Sequence, residues 1–262
     1  MAPVTVGVII DIDAKQYPGH AGGTPVTALR NLRACVAPSE FCVITGPSGC
    51  GKTTLLNLIA GLDRDFTGVV NFEPSPVPRI GYVFQSPRLL PWRTVRDNVA
   101  LVLPRHTDRA ALDALLSEIG LADASDAYPT RLSGGMARRA ALARAFAIGP
   151  DLLLMDEPFL SLDAAAAERL RRLLLRLIST RPATVLFVTH DLAEAVDLAD
   201  RILVLSAAPG RVVAEMPIAV PREKRRDPEI LAMLRAELTR VSCPNTAKIA
   251  FSRSKGPDHS TK

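Results

Sequence analysis

Residues 46–54 read GPSGCGKTT and lie between two different patterns of apolar residues. The run before them, EFCVITG (40–46), is rich in β-forming residues, whereas KTTLLNLIAG (52–61) has helical apolar spacing and stops at Gly61. A strand, a loop of the form G-x-x-x-x-G-K-[ST] and a helix together form a phosphate-binding unit, in which backbone N–H groups and the helix N-terminus face the anion. We therefore predict a nucleotide site here.

Within this loop, Lys52 is expected to reach the β- and γ-phosphates, and the Thr53 hydroxyl is expected to bind Mg²⁺. A chance glycine turn is the alternative, and the strand and helix on either side disfavour it. The nucleotide-binding residues predicted from the loop are Gly46, Pro47, Ser48, Gly49, Cys50, Gly51, Lys52, Thr53 and Thr54.

Two further apolar runs end in polar residues. LLLMDEP (152–158) predicts a buried strand in which Asp156 holds Mg²⁺ through water and Glu157 acts as the general base toward an attacking water. ATVLFVTHD (183–191) predicts another strand, after which His190 could contact the γ-phosphate side or could be structural. Alternating strands and helices favour an α/β sheet with helices on both faces, and ligand groups gather at the carboxyl ends of its strands.

The pattern changes between about Pro87 and Gly149, where TVRDNVALVL, TDRAALDALLSEIG and SGGMARRAALARAFA predict helices. We interpret residues 87–149 as a helical subdomain inserted into an α/β core that spans residues 1–243. The polar, patternless residues 244–262 predict a disordered tail.

A second phosphate cradle is predicted in LSGGMARRA (132–140), where two glycines open a helix. If it lies far from the first cradle, it can serve the nucleotide of a second copy related by a two-fold axis. The residues predicted to contact that nucleotide are Ser133, Gly134, Gly135 and Met136.

The order of these motifs resembles the ATP-binding subunits of ABC transporters, from about Val4 to Leu238. The resemblance implies a P-loop NTPase core with a mixed sheet, Walker A at Gly46–Thr54, Walker B at Leu152–Glu157 and the family's signature at LSGGM. It further implies a Q-loop glutamine that binds Mg²⁺, a switch histidine, an aromatic residue stacked on adenine and a D-loop aspartate. The corresponding residues are Gln85, His190, Tyr17 and Asp163.

The segments GTPVTAL (23–29) and FQSPRLLPWRTVRDNV (84–99) are similar to importers of the nitrate, sulfonate and taurine type. This branch implies a Mg²⁺-dependent ATPase that works as a homodimer beneath two membrane-spanning permease subunits. An extracytoplasmic binding protein would deliver the solute. Two departures stand out: Leu160-Ser161 replace the usual serine-alanine of the D-loop, and Arg138 stands where many relatives have glutamine.

Composition fits a folded cytoplasmic protein. Apolar residues make up 48% of the 262 residues, and no apolar stretch approaches the roughly 18 residues that span a bilayer. The start MAPVTVGVIIDID predicts a strand rather than a secretory signal, so we expect a peripheral protein on the cytoplasmic face of the inner membrane. The net charge of +5 lies largely in PREKRRDPE (221–229) and the tail, which favours a basic surface near anionic lipid over nucleic-acid binding.

Other functions remain open at this stage. A soluble ABC ATPase of DNA repair or translation would share the catalytic motifs, but such proteins usually carry tandem cassettes or a long coiled-coil insertion. A P-loop GTPase would need an N-K-x-D motif, which the sequence lacks. A non-catalytic subunit would need a damaged Walker B or signature motif, and both motifs are intact in this sequence.

The segment QSPRLLPW (85–92) could be a buried brace or a groove for a helix of the permease. We expect Leu89, Leu90 or both to lie in an exposed apolar patch. The alternative for Trp92 is a core aromatic.

Overall fold

The computed structural model describes residues 5–19, 23–74, 77–103, 108–225 and 227–242. Strands and helices alternate along most of this length. Their order is β1 (Gly7–Tyr17), β2 (Val26–Val36), β3 (Phe41–Thr45), α1 (Lys52–Ile59), β4 (Thr67–Glu73), β5 (Ile80–Val83), α2 (Val95–Ala100), α3 (Arg109–Glu118), α4 (Gly134–Ala147), β6 (Leu152–Asp156), α5 (Ala164–Thr180), β7 (Thr184–Val188), α6 (Leu192–Leu198), β8 (Arg201–Leu205), β9 (Val212–Pro217) and α7 (Pro228–Ser242).

The central sheet has the strand order β5-β6-β7-β3-β8-β9. Its strands pair in parallel except for β9, which runs antiparallel to β8 at one edge. This arrangement confirms the predicted α/β fold with a mixed sheet. A second sheet, with the order β2-β1-β4, is antiparallel throughout. The strand at the start of the chain was predicted, but its membership of a separate sheet was not.

Both faces of the central sheet are covered. In β3, Phe41 and Val43 join the core that contains α2 to α7, while Cys42 and Ile44 join the core made with α1 and the antiparallel sheet. Alternate residues of β6 and β7 divide between the two cores in the same way. Strands buried on both faces are expected to be continuous apolar runs, which explains why the sequence displays them so clearly.

Strand register places the ends of three strands side by side. Asp156 at the end of β6 pairs with Val188 of β7, and Val188 pairs with Ile44 of β3. The residues that follow these strands therefore emerge together at one edge of the sheet. They are the glycine-rich loop after β3, Glu157 after β6, and Thr189 and His190 after β7.

The three helices predicted between Pro87 and Gly149 are present as α2, α3 and α4. Their apolar faces belong to the same core as one face of the central sheet, so this block packs directly on the α/β layers. The predicted tail at 244–262 lies outside the described residues. Among the described residues, no helix combines the length and the apolar character needed to cross a bilayer.

The basic segment 221–229 does not form the uniformly exposed surface that the sequence suggested. Arg225 is only 3% exposed. Its guanidinium donates hydrogen bonds to main-chain carbonyls around the end of α6, including those of Val220 (2.7 Å) and Ala199 (2.5 Å). Arg222 also turns inward, to the Leu198 carbonyl and the Asp200 carboxylate. Part of the positive charge therefore stabilises the end of α6.

We predict that Arg225→Met lowers the free energy of unfolding by about 3 kcal/mol, because several buried carbonyls lose their donor. Denaturant unfolding measures the change. Lys224→Met is the matched control, since Lys224 is exposed, and it should alter stability by less than about 0.5 kcal/mol. Equal stabilities for the two variants would contradict a role for Arg225 in capping α6.

Candidate active site

The loop between β3 and α1 has the conformation that its glycines allow. Gly49 and Gly51 have φ angles of 75° and 98°, in the left-handed region that other residues rarely adopt. A Cβ atom on Gly51 would also lie 2.6 Å from the side chain of Leu29. Pro47, Ser48 and Gly49 are exposed, so the loop is open on its outer side.

Lys52 is buried at the first position of α1. Its ammonium donates hydrogen bonds to the carbonyl oxygens of Gly46 (2.8 Å) and Pro47 (3.0 Å), so the side chain folds back over the loop. Cys50 contributes backbone to the loop, and burial raises the pKa of its thiol above the usual value. The loop thus combines a held cation with a helix N-terminus, which is an anion-binding arrangement.

Thr53 and Asp156 meet directly. The Thr53 hydroxyl donates to Asp156 Oδ2 at 2.8 Å, and Asp156 is only 4% exposed. Burial raises the pKa of this carboxyl above its usual value, with a further contribution from the neighbouring Glu157. A buried carboxylate beside a hydroxyl, at the edge of a phosphate loop, is a donor set of the kind that Mg²⁺ prefers. The residues therefore fit the predicted ion.

Glu157 and His190 also lie together. His190 Nδ1 is 3.2 Å from Glu157 Oε1; the imidazole is 59% exposed and the carboxylate 18%. Glu157 has a φ angle of 44°, an uncommon conformation for a residue with a side chain. Two hydrogen bonds hold its backbone, from its own N–H to the Val188 carbonyl and from the Leu160 N–H to its carbonyl. The sheet and the next loop thus hold the main chain from which the carboxylate extends.

Gln85 is exposed just after β5 and lines a cavity of about 400 Å³ together with Thr53 and Asp156. The structure therefore places the predicted Q-loop glutamine on the same cavity as the predicted magnesium ligands. Its carbonyl accepts a hydrogen bond from Arg138 of α4 at 2.6 Å.

Tyr17 lies beside the phosphate loop. Its hydroxyl is 3.3 Å from the Thr54 hydroxyl, and its side of the loop is open, with Tyr17 38% exposed. Lys15 places its ammonium 4.6 Å from the ring centroid, and the buried Lys15 is paired with Asp63. An aromatic ring at this place is compatible with stacking on a base, as predicted.

The second predicted cradle lies at the start of α4. Ser133 is the N-cap residue, and its hydroxyl accepts from the Met136 N–H at 3.3 Å. Gly134 has open space around it, since a Cβ atom there would meet nothing within 4 Å. Asp163, the predicted D-loop aspartate, caps α5 by accepting from the Ala166 N–H at 2.7 Å.

The site residues line three cavities. The first cavity is lined by Thr53, Gln85 and Asp156, and the second by Glu157 and His190. The third cavity is lined by Ser133, Gly134, Gly135 and Asp163. Residues 160–162 are shared by the three cavities, because each cavity is bordered by two of these three residues. Leu160 borders the first and second cavities, Ser161 borders the first and third, and Leu162 borders the second and third. Within the described chain, the signature glycines thus do not line the cavity of Thr53 and Asp156.

The structure corrects the expectation for the 85–92 segment. Leu89 and Leu90 are half-buried, and Leu89 packs against the helical core, whereas Trp92 is 70% exposed. The core alternative for Trp92 is therefore wrong, and the exposed apolar group of this loop is the tryptophan rather than a leucine. The side chain of the buried Asn98 holds the end of this loop: it accepts from the Leu90 N–H and donates to the carbonyls of Leu90, Arg93 and Thr94, contacts that no sequence pattern indicated.

Comparison with known proteins gives one consistent family. The sequence profile of the ABC transporter family matches residues 29–160. An aliphatic sulfonates import ATP-binding protein of Burkholderia lata is 47% identical over 218 residues, which are 81% of this chain and 80% of that protein. A protein of the same name from Pseudomonas syringae pv. tomato is 42% identical over 230 residues, 87% of this chain and 94% of that protein.

Comparison with solved structures indicates the same family. The ATP-binding cassette MJ0796, in a dimeric post-hydrolysis state bound to ADP and Pi, superposes with a TM-score of 0.71 at 30% identity; the match covers 82% of this chain and all of that one. A second dimeric structure of MJ0796, described as a bacterial ABC transporter cassette, gives 0.70 at 29% identity over the same share of both chains. Together with the observed fold, these matches show that the chain belongs to the ABC transporter family as one of its ATPase subunits.

Proposed function

We propose that this ATPase energises the uptake of a small solute of the aliphatic sulfonate type through partner permease subunits. The observation that carries the hydrolysis step is structural. Two contacting pairs, Thr53 with Asp156 and Glu157 with His190, meet where parallel strands of the central sheet end, beside an open phosphate loop. Three relatives named as aliphatic sulfonate import proteins, at 42–48% identity, support the solute class.

In the proposed reaction, water attacks the γ-phosphate of ATP, and ADP and phosphate are released. Glu157 accepts a proton from that water, and His190, 3.2 Å from its carboxylate, holds the base in place. Lys52 and the loop N–H groups bind the phosphates through charge and hydrogen bonds, while Thr53, Asp156 and Gln85 hold the magnesium site. Mg²⁺, when bound, neutralises charge on the phosphate oxygens.

Two copies of the chain complete the site. Ser133 and the two glycines after it line a cavity that Thr53 and Asp156 do not reach, so they are free to face the nucleotide of a second copy. The dimeric solved cassettes support this arrangement. A two-fold axis makes the contact reciprocal, and each nucleotide then lies between one phosphate loop and the opposite signature.

The remaining partners follow from the importer assignment. Two permease subunits in the inner membrane would bind the dimer at their cytoplasmic face, with the 85–92 loop and its exposed Trp92 as the docking segment. An extracytoplasmic binding protein would deliver the solute. A soluble ABC ATPase of DNA repair or translation is the alternative, and the import function in the names of the relatives disfavours it.

We predict that Glu157→Gln lowers ATP hydrolysis by roughly 10²- to 10⁴-fold, because the amide keeps the size of the side chain but cannot accept the proton. Nucleotide affinity should change little, and ATP should then hold a stable dimer. Phosphate release and size-exclusion chromatography with ATP measure these properties.

The matched control is Glu168→Gln. Glu168 lines the same cavity as Glu157, but its carboxylate is paired with Arg171 and Arg172 at 2.7 and 2.6 Å. This variant should hydrolyse ATP within about threefold of the parent, because both ion pairs join Glu168 to arginines that have no role in the proposed reaction. A parental rate in Glu157→Gln would show that another group is the base.

A third prediction concerns the shared site. Ser133→Arg should abolish hydrolysis, because a long cation at the helix start blocks approach of the second copy, while ATP binding by the lone chain persists. Ser133→Ala is the control; it loses the N-cap, worth about 1 kcal/mol, but it keeps the cradle open.

Complementation makes this test decisive. Lys52→Ala should be inactive alone, yet a mixture with Ser133→Arg forms heterodimers with one intact composite site. Hydrolysis should therefore recover in the mixture although both parents are inactive. No recovery when heterodimers demonstrably form, or parental turnover by Ser133→Arg alone, would contradict the shared site.

The fourth prediction tests the importer itself. In liposomes with the permease and its binding protein, an alkanesulfonate should stimulate hydrolysis, and Trp92→Glu should remove both assembly and stimulation. Because Trp92 is exposed, the lone variant should keep parental stability and ATP affinity. Assembly and transport unaffected by Trp92→Glu would remove this loop from the docking surface.

A further inference from the structure

Arg138 occupies an unusual place for a positive charge. It lies in the second turn of α4, five residues after the N-cap Ser133. It is half-buried, and burial lowers the pKa of its guanidinium below the usual value. The position therefore opposes the charge, and specific partners are needed to hold it.

The partners of Arg138 belong to two different loops. One guanidinium nitrogen donates to the Gln85 carbonyl at 2.6 Å, and the other donates to the Leu160 carbonyl at 2.7 Å. Both acceptors are main-chain atoms, so the contact fixes backbone rather than a side chain. Arginine suits this geometry because its planar group presents separate donors in fixed directions.

Each of these loops carries part of the proposed hydrolysis site. Gln85 borders the cavity of Thr53 and Asp156, and Leu160 follows Glu157 closely in the chain. The Leu160 N–H also donates to the Glu157 carbonyl at 3.1 Å, so the two residues form one turn. Arg138 thus contacts the Gln85 loop directly and reaches Glu157 through a single intervening hydrogen bond.

The turn needs such support because its backbone is strained. Glu157 and Ser161, on either side of Leu160, have φ angles of 44° and 63°. Left-handed residues other than glycine cost about 1–3 kcal/mol and persist only when their surroundings hold them. The Arg138 hydrogen bond to the intervening carbonyl is one of those restraints.

We propose that Arg138 is a positioning residue that sets the placement of Gln85 relative to Glu157 and so controls the rate of hydrolysis. This inference rests on the proposed function. It assigns a role to a residue at which the chain departs from the glutamine expected from its family resemblance. A glutamine is shorter than arginine, and its one amide nitrogen cannot reproduce the two separated donors.

The test compares Arg138→Met and Arg138→Lys with the parent. Arg138→Met should lower kcat for ATP about 10- to 100-fold while KM and the affinity for a fluorescent ATP analogue change less than about threefold, which is the pattern of a misplaced catalytic group. Arg138→Lys should recover part of kcat, because an ammonium can reach one of the two carbonyls.

The matched control is Arg222→Met. Arg222 is also a half-buried arginine that donates to a main-chain carbonyl, that of Leu198, but it lines none of the three cavities of the site. The kcat of this variant should stay within about threefold of the parent. Equal losses of kcat in the two methionine variants would show a general effect of removing a half-buried arginine and would overturn the proposal.

A double variant separates this inference from the proposed function. If Arg138 acts through Glu157, adding Arg138→Met to Glu157→Gln should reduce the remaining hydrolysis by less than about twofold. A full further loss, or a parental kcat in Arg138→Met, overturns the positioning role. If Glu157→Gln itself keeps the parental rate, the assignment of Glu157 as the base in the proposed function fails instead. Should Arg138→Met not fold, Arg138→Lys with the same kcat and KM measurements decides the question.

Discussion

The parallel pairing of β6, β7 and β3 is the constraint on which the site depends. Asp156, Val188 and Ile44 lie in one line across the sheet, and hydrogen bonds continue that line beyond the strand ends: the Glu157 N–H donates to Val188 and the Thr189 N–H to Ile44. The phosphate loop, a buried carboxylate and a histidine therefore lie at the same edge of the sheet, because each directly follows or ends one of these neighbouring strands. Loss of this register would separate the groups, whatever their individual conformations.

Desolvated arginines form a second layer of support. Arg138, Arg139 and Arg144 of α4 donate to main-chain carbonyls outside the helix, and Arg144 holds the carbonyls of Pro87 and Arg88. A guanidinium presents several donors and can therefore hold loop carbonyls at two places at once, which apolar side chains cannot do. The basic character of this chain is thus partly an internal feature, and net charge alone overstates how much positive charge lies on its surface.

Sequence reasoning predicted most of the fold and selected the residues of the candidate site, because each signal was local. The strands are buried on both faces and stand out as apolar runs, and the loop after β3 needs glycines at fixed positions, two of which have φ angles of 75° and 98°. What it missed depends on contacts distant in sequence. Arg138 donates to Gln85, which lies 53 positions earlier in the chain, and to Leu160, which lies 22 positions later. The separate antiparallel sheet likewise depends on the pairing of β1 with β4. The exposure of Trp92 is set by packing that the composition of its loop does not encode.

The short segment Leu160–Leu162 explains how these parts can act together. It borders all three cavities, so a shift of its backbone would alter the surroundings of the proposed magnesium ligands, of the proposed base and of the signature glycines at once. Its positive φ at Ser161 allows few alternative conformations, and packed elements of this kind tend to move between discrete arrangements rather than deform gradually. Closure of a second copy against Ser133 and Asp163 would press on one side of the segment, while Arg138 restrains the other. In the proposed dimer, approach of the partner and alignment of Glu157 would then be coupled through one strained turn, and this coupling would make hydrolysis depend on closure.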